Sequence, residues 1–156
     1  MSKTRVVVTG LGVCAPNGVG IDAFTEALMQ GKSGIRFFSE LEKLKFSCQI
    51  GGMPLISETV KSKYFTPLQL RNFNSAGILY GVVAGVEAWQ DAGLPIDEET
   101  CDFDSGTIFG VGSLGVDKYR ESIYKIDEGN TRRLGSTSVQ QTMSSGVSAY
   151  LGGMLG

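Results

Sequence analysis

Gly77, Gly81 and Gly85 recur every four residues through a stretch, 68–92, that otherwise reads as one long helix. A glycine inside a helix costs about 1 kcal/mol relative to alanine, so three in one row need a compensating contact. Four-residue spacing puts them on one face, where they make a ridge without side chains. The expectation is a neighbouring element packed unusually close to that ridge. The helix itself should be buried, because it turns almost wholly apolar after Ala76. Its ends are marked. Thr66 is a capping residue ahead of Pro67, which suits the first helical position. Ala92-Gly93-Leu94-Pro95 puts glycine at the left-handed stop with proline just beyond.

The other segments are arranged around this helix. Residues 5–9, Arg-Val-Val-Val-Thr, read as a buried strand ending in Gly10, Gly12 and the breaker Pro16-Asn17-Gly18. Asp22 is positioned to cap a helix in which Phe24, Ala27 and Leu28 share a face, with Gly31 and Gly34 as its stop. A short strand is expected at 46–50. Asp97, Glu98, Glu99, Asp102 and Asp104 mark a solvated acidic connection. Gly106-Thr-Ile-Phe-Gly110 reads as a second buried strand, and helical patterns follow at about 117–127 and 138–151. The order strand, helix, helix, strand, helix, helix places the chain in the α/β class, as one domain without a linker. Glycine makes up 22 of 156 residues, about twice the usual share of roughly 7 %. Since these glycines sit among Val, Leu and Ile, they point to tight turns and close approaches rather than disorder.

Composition excludes several classes of function. A formal net charge of -2 does not suit a chain built to coat nucleic acid or an anionic membrane. Cys14, Cys48 and Cys101 are odd in number and far apart, which fits neither a disulfide framework nor a zinc site. Histidine is absent, so neither Ser-His nor Cys-His pairs can be assembled. Met1-Ser-Lys-Thr-Arg5 leads directly into the first expected strand, and no stretch reaches the roughly 18 apolar residues of a membrane span. A reducing cytoplasm is the expected location.

Four local motifs invite functional readings. Gly10-Leu-Gly12-Val-Cys-Ala15 has the form of a dinucleotide fingerprint, but Pro16-Asn17-Gly18 interrupts the backbone where the phosphate-binding helix has to begin. Gly31-Lys32-Ser33 resembles the end of a phosphate-binding loop, yet Glu26 stands where that loop needs its opening glycine. Each is better read structurally. The cysteines, with no histidine to activate them and apolar neighbours such as Val13 beside Cys14, read as buried inert thiols. Arg132-Arg133, in a polar loop after Gly129-Asn130, either faces solvent or receives an acidic partner.

Five segments together resemble the amino-terminal half of the β-ketoacyl synthases, thiolase-fold condensing enzymes. Val6-Val-Val-Thr-Gly-Leu-Gly-Val13 with Pro16, Gly18 and Gly20 is similar to the family's opening strand. Phe24–Leu28 with Gly31-Lys-Ser-Gly-Ile35 resembles its first helix and stop. Ala84-Gly-Val-Glu-Ala-Trp-Gln-Asp-Ala-Gly-Leu94 resembles its long buried helix. Gly106-Thr-Ile-Phe-Gly-Val-Gly112 with Gly115 is similar to its glycine-rich strand and loop, and Thr142-Met-Ser-Ser-Gly146 to the segment preceding its catalytic cysteine. Each motif alone is weak; five in order over essentially the whole chain make a strong signal.

The resemblance implies an α/β, thiolase-like fold, of which this chain is the amino-terminal half of a five-layer α/β/α/β/α arrangement. It implies decarboxylative condensation of an acyl group with a malonyl-carrier protein in a fatty-acid or polyketide-like pathway, with no metal or other cofactor. The family's cysteine, paired histidines and lysine would fall beyond Gly156, so no catalytic residue is assigned and the fragment alone is expected to be inactive. Gly112, Ser113 and Leu114 would match the acyl-pocket loop. Gly135 and Ser136 would lie where a partner subunit closes that pocket, and 138–151 at the interface of a homodimer, or of a heterodimer with a related ketosynthase subunit. Arg71, Arg132 and Arg133 are the residues expected to meet an acyl carrier protein. Relatives often carry a basic cluster at the start of the long helix, whereas Arg71-Asn-Phe-Asn74 holds one cation. That departure leaves room for a noncatalytic, chain-length-determining partner in a ketosynthase heterodimer. An interaction module complete at this length is a third reading, and it would expose apolar surface.

Overall fold

The computed structural model describes residues 4–96 and 102–156. A hairpin of β1 (Cys14–Ala15) and β2 (Gly18–Val19) leads into α1 (Ile21–Met29). A second antiparallel pair joins β3 (Ile35–Phe37) to β4 (Ile50–Gly52), with α2 (Ser39–Lys43) between them. Then come α3 (Glu58–Tyr64), α4 (Pro67–Asn72), the long α5 (Ala76–Asp91), α6 (Val116–Asp127), a 3-10 turn at Thr131–Arg133, and α7 (Gly146–Leu155). Among the described residues no helix is long and apolar enough to cross a membrane.

The core is built on α5. Ile78, Val82 and Val83 have no exposed surface, and each such side chain contributes roughly 1.5–3 kcal/mol through burial. That outweighs the helical cost of the three glycines. Their ridge is occupied as expected. A β-carbon at Gly77, Gly81 or Gly85 would overlap Leu114, Val147 or Leu151 respectively, so α7 and the start of the α6 segment lie closer to α5 than side chains would allow.

A further close approach runs along α5. Gly10 and Gly12 rest on the backbone of Ala84, Ala88 and Ala92, where no β-carbon fits. Acidic side chains hold this segment in place. Asp91 Oδ2 accepts the Leu11 N–H at 2.9 Å, and the Glu87 carboxylate accepts the N–H groups of Val13 and Ile21, both at 2.8 Å. Glu87 thereby serves the start of α1, whose cap residue Gly20 has φ 91 and no side-chain bond; Asp22 lies within the first turn and is not the cap. The glycines of the apparent dinucleotide fingerprint are therefore packing positions. Gly31, at φ 64, ends α1 as a turn, and Lys32 N–H returns to Ala27 O, as the structural reading of Gly31-Lys32-Ser33 requires.

Several expectations need correction. Residues 5–9 and 106–110 form no ladder among the described residues, and Val6, Val8 and Ile108 are almost fully exposed. A strand exists only where a neighbour takes its backbone hydrogen bonds, and no described strand pairs with either one; 106–110 instead touches helices, with Thr107 Oγ1 donating to Ser148 O and Phe109 packed near Gly81. The expected strand at 46–50 is displaced to 50–52, where Ile50 pairs with Phe37. The helix expected over 68–92 is two helices, and the one expected over 138–151 is a series of turns followed by α7.

The break between α4 and α5 has a local cause. Gln141 Oε1 accepts the N–H groups of Asn74 and Ser75 at 2.8 and 2.9 Å, and Asp117 Oδ2 accepts that of Ala76 at 3.2 Å. Residues far away in sequence thus satisfy the two N–H groups leading into the new helix and the first donor within it. Thr66 and Gln69 cap α4 reciprocally, and Gly93 adopts φ 71 after α5, both in line with expectation. Cys14 is half-buried, whereas Cys48 is exposed, so the reading of every thiol as buried does not hold; Cys101, with Asp97, Glu98 and Glu99, lies outside the described residues.

Candidate functional site

Two turns of α6 organise a polar cavity. Lys118, Glu121 and Lys125 are spaced three and four apart and share a face. The Glu121 carboxylate takes both ammonium groups, each at 2.6 Å. These two hydrogen bonds, Lys118 first, pull the Glu121 carboxyl down to about 2. Lys125 Nζ also donates to Arg133 O at 2.9 Å, which ties the 3-10 turn to α6 and brings the following loop over it. Gly135 takes φ 78, a conformation natural to glycine, and the chain then turns back through Ser138, whose hydroxyl donates to Leu134 O.

The result is a cavity of about 230 Å³ between α4, α6 and the 133–141 segment. Arg71, Lys118, Lys125 and Arg133 line it with Glu121, and Ser122, Gly135, Ser136 and Gln141 are among its other walls. Neither the Arg71 nor the Arg133 guanidinium has an ion pair or hydrogen bond among the described residues.

The residues singled out from sequence divide into three groups. Arg71, Arg133, Gly135 and Ser136 meet in this cavity. Arg132 is exposed beside it and is not part of its lining. Gly112 and Ser113 are exposed and are not part of this cavity's lining, while Leu114 is buried against Gly77 and Gly146 as part of the core. Lys118, Lys125 and Glu121 went unnoticed in the sequence; their i, i+3, i+7 spacing on α6 is the signal that would have found them.

A second recess, of about 210 Å³ and mainly apolar, opens between Phe73, Met143, Ala149 and Tyr150. The Phe73 and Tyr150 rings, with centroids 4.6 Å apart, pack against each other on its wall. It adjoins the Thr142–Gly146 segment. Cys14 lies elsewhere, and burial followed by the Glu87 charge pushes its thiol up to about 11. At neutral pH it is protonated and a poor nucleophile.

This architecture is shared with solved ketosynthases. A β-ketoacyl synthase from Burkholderia phymatum STM815 superposes with a TM-score of 0.74 at 23% identity, over 96% of this chain and 36% of that one. The ishigamide ketosynthase/chain length factor gives 0.75 at 20% identity, over 99% of this chain and 38% of that one. The chain therefore has the fold of the amino-terminal portion of thiolase-fold enzymes. Residues 3–156 match the family described as the N-terminal domain of beta-ketoacyl synthase, and the chain belongs to that family. It is 31% identical to 3-oxoacyl-[acyl-carrier-protein] synthase 2 of Vibrio harveyi over all of its own length and 37% of the relative's.

Proposed function

We propose that the chain is the amino-terminal part of a 3-oxoacyl-[acyl-carrier-protein] synthase. In that reaction an acyl group passes from a carrier thioester to a cysteine sulfur and frees the carrier thiol. A malonyl-carrier then loses carbon dioxide, and its enolate carbon attacks the acyl thioester to give the 3-oxoacyl-carrier and release the cysteine. The observation that carries this reading is the match of residues 3–156 to the family's N-terminal domain.

In this reading an acidic carrier protein approaches over Arg71, Arg132 and Arg133, and the chain works as a dimer with a second ketosynthase-like subunit. Leu114 with Gly112 and Ser113 borders the acyl group, and the apolar recess beside Phe73 suits hydrocarbon better than the charged cavity at Gly135 and Ser136 does. The test is condensation by the full-length protein supplied with acyl- and malonyl-carrier. Product formation supports the reading, and product from residues 1–156 alone would overturn the assignment of chemistry to other residues. Arg132→Ala is expected to weaken carrier binding about two- to fivefold, the scale of one exposed ion pair.

A second reading is a noncatalytic chain-length partner. The likeness to a ketosynthase/chain length factor favours it, as does the single cation in Arg71-Asn-Phe-Asn74. Full-length protein inactive alone but needed by a separate ketosynthase would establish it.

A further inference from the structure

We propose that the cavity between α4, α6 and the 133–141 segment is a binding site for a phosphate group. Four cationic side chains line it against one carboxylate, that of Glu121. Glu121 is already held by two ammonium groups, so the guanidinium groups of Arg71 and Arg133 add positive charge that nothing in the cavity balances. A concave wall of one sign concentrates its field on an anion within it. Guanidinium groups are the donors best matched to phosphate oxygens.

The backbone supplies an independent observation. Leu134 is right-handed, at φ -63 and ψ -34, and Gly135 follows at φ 78. Alternation of this kind turns successive N–H groups toward one side as an anion-binding nest. The N–H groups of Gly135 and Ser136 have no acceptor among the described residues. The Ser122 and Ser136 side chains, both on the cavity wall, add hydroxyls. The volume of about 230 Å³ and the mainly polar lining suit a small phosphorylated group rather than a hydrocarbon chain.

The site shares Arg71 and Arg133 with the carrier-docking reading but does not rest on it, and Arg132, outside the lining, separates the two. The test titrates inorganic phosphate into the full-length protein at constant ionic strength, with chloride as the balancing ion, and follows heat and the amide resonances of Gly135 and Ser136. Saturable one-site binding with shifts at both amides is expected. Arg71→Met and Arg133→Met, both at exposed positions, should each weaken it about tenfold, while Arg132→Ala leaves it unchanged. Glycerol phosphate that competes marks a site for ester-borne phosphate; failure to compete assigns it to the free ion. Absence of saturation, unmoved amides, or equal affinity in both Met variants would overturn the proposal, and carrier binding that still depends on Arg132 would leave the docking reading intact.

Discussion

Val147 occupies the space that a β-carbon at Gly81 would need, with its Cγ1 and Cγ2 both turned against that point and Phe109 beside them. A methyl placed there gains about 1 kcal/mol of helix propensity and meets a side chain that is stiff at χ1 in a helix. Overpacking of this kind costs about 1–3 kcal/mol. Gly81→Ala is therefore expected to be net destabilising. Gly77→Ala and Gly85→Ala, which meet the ends of the more flexible Leu114 and Leu151, should be milder. Gly153→Ala, with open space around it, should stabilise by about 0.5–1 kcal/mol. Urea unfolding of the four variants checks this order.

Glu87→Gln keeps the shape of the side chain but replaces one carboxylate oxygen by an amide that cannot accept. One of the N–H groups of Val13 and Ile21 then loses its partner, at a cost of about 1–3 kcal/mol. The same variant tests Cys14. Burial is the larger cause of its raised pKa and Glu87 the smaller, so alkylation of Cys14 should shift to lower pH in Glu87→Gln without reaching the ordinary thiol value of 9.0. A pH profile of alkylation rates measures the shift; a full return would show that charge rather than burial dominates.

Gln141→Leu removes the acceptor shared by Asn74 and Ser75. Ser75 is fully buried, so its N–H has no route to water, and a loss of about 2–3 kcal/mol is expected. Accelerated amide exchange at Asn74, Ser75 and Ala76, with the middle of α5 still protected, would locate the effect at the helix start. Uniform exchange throughout α5 would instead make Gln141 a global core residue.

The carboxyl of Glu121 is lowered from 4.5 to about 2 by Lys118 and Lys125. A carboxylate with a depressed folded-state value contributes stability that is present above its unfolded value. That contribution is lost as pH falls through the folded value. Glu121→Gln should thus be less stable than the parent at pH 7, with the difference fading between pH 4.5 and about 2. Because the carboxylate is 43% exposed, screening limits the difference to about 1 kcal/mol or less. Paired urea midpoints across this range test it, and a difference that grows on acidification would contradict the sign.

What the sequence alone determined is local in its physics. Thr66 and Pro67 mark the start of α4, Gly93 the end of α5, and the four-residue glycine rhythm a close contact, because caps, left-handed turns and helix faces depend on residues a few positions apart. The same short segments, from Val6 to Gly146, were enough to suggest the family. Only the tertiary structure decided that Val147, Leu151 and Leu114 fill the ridge. It also placed a helix break at Asn74 and Ser75, with an acceptor 67 and 66 residues away, and gathered Arg71, Lys118, Lys125 and Arg133 around one cavity. The expected strands at 5–9 and 106–110 show the same division from the other side: a helix satisfies its backbone within its own four-residue turns, whereas a strand needs a neighbour from elsewhere in the fold, and an apolar pattern cannot provide one.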